Sequence, residues 1–273
     1  MQAGMTGKLM FSFAFAAAAV FWATPMPEPH RIVLTLCAVF FARTAGCLFN
    51  NLVDRQYDCE NERTKTRPLA DGTLPIPVAA TAILMLGFGT FLMVAFINPL
   101  YVILLPFPLA ICFLYSYTKR FTWLCHGILG IACAAAPVGS WIVFVDQYDE
   151  RILILGAMVT LWTAGYDILY SIQDVAFDKQ EGLYSVPVQF GPRMSQYIAA
   201  CLHIGTVILF FIWGYWLNFG LWYFFGAVLC SLLLIVEHVS IAGSHYERIP
   251  FAFNINQWVG VTALVFALLE RWC

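Results

Sequence analysis

Apolar residues along this chain come in long blocks separated by short polar stretches, and the blocks set the architecture. A bilayer core asks for roughly 20 apolar residues per helix. Nine stretches approach that length: residues 9–24, 32–53, 77–96, 98–117, 122–145, 152–174, 195–216, 221–242 and 251–270. Alternating-polarity segments of about ten residues, the mark of a transmembrane barrel, are missing. The pattern predicts an all-α polytopic bundle of nine transmembrane helices. The first block, which follows Lys8, also has the outline of a signal-peptide core, but it lacks a clear small-x-small cleavage site and is read as a span.

Composition supports the lipid bilayer as solvent. Of 273 residues, 61% are hydrophobic and only 11% charged, against about 25% charged in soluble domains. A net charge of −2 gives no basic surface for nucleic acid. The nine cysteines form no C-x-x-C and sit mostly in apolar runs, so they read as small core residues. Nothing in the chain calls for an obligate protein partner, and residues 1–273 read as a single domain.

Sidedness follows from the short-loop cations. With the N-terminus in the cytoplasm, Lys8, Arg55, Arg63, Lys65, Arg67, Lys119, Arg120, Lys179, Arg193 and Arg248 fall inside. Arg31, Arg151 and Arg271 fall outside, and Arg43 lies within the second span. The chain is expected in the inner membrane, with its two longer loops, about 54–76 and 175–194, on the cytoplasmic side. Those loops carry most of the polar chemistry.

The first cluster is Asn50, Asp54 and Asp58. Residues four apart share a helix face, so these form an acceptor stripe about 12 Å long. The second is Tyr170, Asp174 and Asp178, with Asp167 one turn deeper on nearly the same face. Oxygen ligands in a row suit a hard cation such as Mg²⁺, which takes one or two carboxylates and completes its shell with phosphate and water. Ionisable groups inside a span are costly and usually functional. The expected metal ligands are Asn50, Asp54, Asp58, Asp174 and Asp178. Arg63 and Arg67 follow the first stripe, and Lys119 and Arg120 end the fourth span, all without an obvious carboxylate partner in sequence. Carboxylates, Mg²⁺ and fixed cations together make a diphosphate site.

Arg43 lies about 16 Å deeper than Asp54 along the second helix. Two readings stay open for it: an anchor for the carboxylate of an aromatic acid, or an ion-pair partner of Asp167. Asp167 is alternatively the acceptor of a hydrogen bond from the acid's ring hydroxyl. His126 and His203 lie within spans with no partner at ligand spacing and read as hydrogen-bonded core residues. Trp141, Trp162, Phe210 and Phe211 read as core or lipid-facing packing.

The run Arg43-Thr44-Ala45, Asn50 to Asp58, Asn61-Glu62-Arg63-Thr64, Arg67-Pro68-Leu69 and Gly72 resembles the first signature of the UbiA superfamily of intramembrane prenyltransferases. Gly165 to Asp174, with Asp178, Gly182, Ser185 and Phe190-Gly191, resembles the second, in the form typical of 4-hydroxybenzoate polyprenyltransferases. Tyr115 to Arg120 and Phe253 to Asn256 also fit, and the resemblance spans about residues 8–260. Asn51 stands where relatives often carry a second Arg or Asp.

The resemblance implies nine spans around a central cavity open to the cytoplasm. It implies Mg²⁺-dependent transfer of a prenyl group from a polyprenyl diphosphate to an aromatic acid in quinone biosynthesis. Asp54, Asp58, Asp167, Asp174 and Asp178 would be catalytic; Arg43, Asn50, Arg63, Arg67, Tyr115, Lys119 and Tyr170 would bind substrates. The alternatives are an acceptor of the menaquinone route and, outside the family, a membrane carrier or a lipid phosphatase.

Overall fold

The computed structural model describes the backbone of residues 3–147 and 149–272, and the side chains of 13–147, 149–243 and 245–272. Lys8, counted among the inner cations, lies outside the described side chains. Among the described residues all regular structure is helical. The helices are α1 (Ala3–Ala23), α2 (Pro29–Val53), α3 (Arg55–Glu60), α4 (Ile76–Ile97), α5 (Pro106–Thr118) and α6 (Cys125–Val145). They continue as α7 (Arg151–Ser171), α8 (Val175–Gln180), α9 (Val186–Phe190), α10 (Pro192–Trp216), α11 (Leu221–Ile241) and α12 (Ile249–Trp272).

Eight segments of the described chain are long and apolar enough to cross a membrane: α2, α4, residues 99–118, α6, residues 151–180, α10, α11 and residues 246–272. The first predicted block falls in α1, whose described apolar part is the shorter Phe13–Ala23. That part is core: Phe15, Ala16, Ala18, Ala19 and Val20 are essentially inaccessible, and the helix packs on α6 and α12. The fourth block is not one helix. A 3₁₀ turn over Pro99–Ile103 precedes α5, because Pro106 has no N–H to donate and starts a new helix at its first position.

The bundle divides into a dense half and an open half. Trp22, Trp141, Trp162, Trp213, Phe15 and Phe210 interdigitate among α1, α6, α7, α10, α11 and α12. Phe211, by contrast, stands at the surface. α6 and α7 approach closely, since a Cβ at Gly130 would lie 2.4 Å from the Thr160 carbonyl oxygen. Only a residue without a side chain fits there.

On the other side, α2, α4 and α5 form a thin wall. Ala38, Ala42 and Gly46 of α2 fall four residues apart on the face lining a chamber, opposite Ala132, Ala136 and Gly139 of α6. Small side chains on facing helices leave the space that a packed core would fill.

The end of the bundle away from the acidic clusters is tied by short polar contacts. Arg31 donates to the Val143 carbonyl at 2.5 Å and to Asp146 at 2.9 Å, and Tyr101 also donates to Asp146. Arg271 donates to the carbonyls of Phe21 and Trp22. These are the three cations, with Arg151, that the sequence assigns to one side, and the structure gathers them at one end.

Candidate active site

Both acidic stripes sit where a long helix breaks and restarts. α2 ends at Val53, Asp54 takes a non-helical turn conformation, and α3 begins at Arg55. The i to i−4 hydrogen bonds nevertheless persist, from Asp54 N–H to the Asn50 carbonyl at 2.9 Å and from Asp58 N–H to the Asp54 carbonyl at 2.8 Å. The break therefore keeps Asn50, Asp54 and Asp58 on one face. In the second stripe Tyr170 belongs to α7, Asp174 closes a 3₁₀ turn, and Asp178 lies on α8. α3 and α8 are each six residues long.

The stripes face one another across the mouth of a chamber of about 880 Å³. Every site residue named from the sequence lines it: Arg43, Asn50, Asp54, Asp58, Arg63, Arg67, Tyr115, Lys119, Asp167, Tyr170, Asp174 and Asp178. The volume lies within the range of ligand pockets, about 300–1,000 Å³.

One expectation needs correction. Arg63 and Arg67 do have carboxylate partners, which the fold supplies from a distance. Arg63 crosses from the loop after α3 to the opposite stripe, donating from Nε to Asp174 Oδ1 at 2.9 Å and from Nη2 to Oδ2 at 2.6 Å. Its Nη1 donates to the Tyr170 hydroxyl at 3.0 Å, and its guanidinium lies 5.1 Å from that ring's centroid. Arg67 Nη1 reaches both oxygens of Asp58 at 3.0 and 2.8 Å. Asp58 and Asp174 are 7% and 6% exposed. Carboxylates so buried need fixed donors.

Asp54 and Lys119 behave differently. Burial pushes the Asp54 carboxyl up to about 6, with Asp58 adding to the rise; Lys119, Arg120 and the Asn50 amide work against it. Asn50 Nδ2 donates to Asp54 Oδ2 at 2.9 Å. Burial also opposes the charge on Lys119, yet the surrounding Asp178, Asp167 and Asp174 more than offset this and raise its pKa. The Lys119 ammonium thus stands charged between the stripes. Arg120 also finds a carboxylate, its Nη2 lying 3.8 Å from Asp54 Oδ1, and it donates to the Val53 carbonyl at 2.9 Å and lies over the Tyr57 and Tyr117 rings.

The donor set suits a hard cation. Asp178 is 3% exposed and its Oδ2 is buried without a hydrogen-bond partner, as an oxygen intended for a ligand would be. Among the described residues no three acidic, His or Cys side chains gather tightly enough to hold a metal alone. A cation held here would have to take part of its shell from other oxygens, such as those of a phosphate, as Mg²⁺ commonly does.

Deeper in, the Arg43 guanidinium lies among Cys47, Cys112, Cys133 and Tyr166, with its Nε unpartnered. Asp167 is engaged by His126, whose Nδ1 lies 2.7 Å from Asp167 Oδ2. The long-range partner of His126 was invisible in sequence because it lies 41 residues away. His203 is, as expected, a hydrogen-bonded core residue, with its ring nitrogens 2.9 Å from His238 Nε2 and 3.2 Å from the Trp162 carbonyl. Sequence reasoning also missed Phe253 as a wall residue; its ring lies 4.4 Å from Tyr170 and 5.7 Å from Tyr166.

An all-helical bundle with membrane-crossing helices, hollowed by small residues and rimmed at one end by two facing acidic stripes, defines an integral multi-pass membrane enzyme. The chain belongs to the UbiA prenyltransferase family, whose model matches residues 10–260, and it is a prenyltransferase. The 4-hydroxybenzoate octaprenyltransferase of Francisella tularensis subsp. novicida is 30% identical over 246 residues, covering 90% of this chain and 86% of that protein. The apo structure of a UbiA homolog from Aeropyrum pernix K1 superposes with a TM-score of 0.88 at 27% identity, covering 96% of this chain and 97% of that one. A UbiA homolog from Archaeoglobus fulgidus, bound to GPP and Mg²⁺, shares the fold with a TM-score of 0.73 at 19% identity, covering 97% and 96%. The carrier and phosphatase alternatives lapse with family membership.

Proposed function

We propose that this protein transfers a polyprenyl group from a polyprenyl diphosphate to a 4-hydroxybenzoate-like aromatic acid, with Mg²⁺ as cofactor, at the cytoplasmic mouth of the chamber in the inner membrane. The observation that carries the reading is the polarity of the chamber. Its mouth holds carboxylates and cations, the Arg43 guanidinium lines it further in, and Gly46 and Cys47 are among the small residues of α2 that line it between the two. α2 is continuous from Pro29 to Val53, so Arg43 and Asp54 are about 16 Å apart along its axis. That separation leaves room for an aromatic ring between a carboxylate held at Arg43 and a diphosphate held at the mouth.

Mg²⁺, when bound, neutralises negative charge on the departing diphosphate. Asn50, Asp54, Asp58, Asp174 and Asp178 are the residues that would hold it. The remaining work falls to the chain. Lys119, Arg63 and Arg67 add fixed positive charge at the mouth, where the C–O bond of the allylic diphosphate breaks and its electron pair leaves with the phosphate oxygen. The ring of the acceptor supplies the pair for the new C–C bond and then loses a proton to regain aromaticity. Tyr115, Tyr166, Tyr170 and Phe253 present π faces to the developing allylic cation. The apolar walls keep water from quenching it.

The test is an assay of membranes carrying the protein with radiolabelled polyprenyl diphosphate and a panel of aromatic acids, including 4-hydroxybenzoate and a hydroxynaphthoic acid of the menaquinone type. Transfer to 4-hydroxybenzoate, lost on chelation and restored by Mg²⁺, is the expected result. Transfer only to the naphthoic acid, or to none of the panel, overturns the assignment of acceptor.

A further inference from the structure

His126 occupies the first turn of α6, is 1% exposed, and has no role in the chemistry above. Both of its ring nitrogens are engaged, and the two contacts differ in kind. Nε2 lies 3.3 Å from the backbone N–H of Val186, which points at it. Val186 opens α9, and the first N–H groups of any helix need acceptors from outside it. The Ser185 hydroxyl accepts from Val188 N–H, and His126 accepts from Val186. A ring nitrogen that accepts carries no proton, so the proton of the neutral imidazole sits on Nδ1. Nδ1–H then donates to Asp167 Oδ2 at 2.7 Å.

The loop that sets this tautomer is itself strapped to the neighbouring turn, with Tyr184 N–H donating to the Lys119 carbonyl at 2.7 Å. The Asp167 side chain is 19% exposed and lines the chamber.

We propose that His126 is a positioning residue for prenyl transfer: with its tautomer fixed by Val186, it holds the Asp167 carboxylate ionised and oriented on the chamber wall to accept the hydrogen bond of the aromatic acceptor's hydroxyl. A carboxylate so placed pulls the hydroxyl proton towards itself and pushes electron density into the ring as the new bond forms. The arrangement uses a backbone donor, an imidazole and a carboxylate in series, so the loop between α8 and α9 sets the orientation of a group in the chamber. The inference rests on the aromatic-acceptor reading given above.

Two amides separate the contacts. In His126→Asn the side-chain N–H falls near the place of Nδ1 and keeps the donor to Asp167. In His126→Gln the longer amide falls near Nε2 and keeps only the contact to Val186. Full-length purified enzyme is assayed with polyprenyl diphosphate and the acceptor the wild type uses, alongside His126→Phe. His126→Gln and His126→Phe should lose about 10–100-fold in kcat, the usual effect of removing a group that orients a functional side chain. The KM for polyprenyl diphosphate should stay within about twofold, and His126→Asn should recover most of kcat.

¹⁵N spectra of histidine-labelled wild type, assigned with His126→Asn, should show Nε2 unprotonated and Nδ1 protonated. The inference is overturned by wild-type kcat in His126→Gln, by equal loss in the Asn and Gln variants, or by the opposite tautomer. Wild-type enzyme inactive with every aromatic acid overturns the underlying reading and this inference together, whereas active wild type with an unaffected Gln variant overturns this inference alone.

Discussion

Arg43→Met should separate binding from stability. The guanidinium sits deep on α2 among three thiols and a phenol, and its Nε has no hydrogen-bond partner. A buried charge in such a setting is held at a desolvation cost of several kcal/mol. Methionine fills a similar volume without that cost. The variant should therefore fold at least as well as wild type, with a Tm equal or higher. If Arg43 holds the acceptor's carboxylate, the same change should cost about 2–5 kcal/mol of acceptor binding, the range for truncating one partner of a buried hydrogen-bonded charge pair. That is about 30- to 4,000-fold in the acceptor constant, at about 1.4 kcal/mol per decade.

Arg43→Lys keeps the charge and loses the fork, so it should lie between the two. The assay is steady-state transfer with each substrate varied in turn, beside a thermal melt in detergent. The KM for polyprenyl diphosphate should move little, because Arg43 is about 16 Å from the mouth along α2. Equal weakening of both substrates, or a lowered Tm with both constants unchanged, would refute the reasoning and make Arg43 a structural residue.

Three further outcomes test the mouth and the topology. Asp54→Ala and Asp174→Ala should each cut turnover by more than about 100-fold while the protein still inserts in the membrane, since the metal and the diphosphate need both stripes; full activity of either at ordinary Mg²⁺ would refute the two-stripe site. The Asp54 carboxyl is raised to about 6, so it binds a proton that a metal must displace as the pH falls below that value. Half-saturating Mn²⁺, read by electron paramagnetic resonance, should rise by about tenfold per pH unit below pH 6, and a flat dependence from pH 7 to pH 5 would contradict it. A reporter fused after Arg193 should read cytoplasmic and one after Cys273 external; the same side for both would refute the assigned topology.

How much of this was legible in the sequence depends on the range of the interaction. The helices were legible because lipid forces every backbone donor into local bonds and leaves block length as the main variable. The four-residue spacing of Asn50, Asp54 and Asp58 was legible for the same reason, since it survives even the break at Asp54. The split of residues 98–117 was carried by Pro106, whose signal the apolar block masked. Contacts between elements were not legible. Arg63 finds Asp174 across 111 residues and His126 finds Asp167 across 41, and spacing rules reach only three or four. The chamber was expected only through the family resemblance, because small residues give no positive signal of their own; Ala38, Ala42 and Gly46 matter for the volume they leave empty.

The same long-range pairing explains how two acidic stripes are held face to face. Four aspartates converging on the low-dielectric end of a bundle repel one another and cost desolvation energy. The loop between α3 and α4 offsets this twice, and asymmetrically. Arg67 folds back on its own stripe at Asp58, whereas Arg63 crosses to Asp174 in the other. Of the two, the second ties the halves together, beside Asn61 Nδ2 of the same loop, which donates to Asp174 Oδ1 at 3.4 Å. The Arg63 and Asp174 side chains are 30% and 7% exposed, so breaking their pair falls towards the lower part of the 3–5 kcal/mol range for buried pairs. Because the same guanidinium also holds the Tyr170 hydroxyl and lies beside its ring, one loop residue sets the width of the mouth, the charge at its rim and the position of an aromatic wall. Charge at the rim and the aromatic lining beside it therefore cannot be varied independently, and this coupling follows from the fold alone.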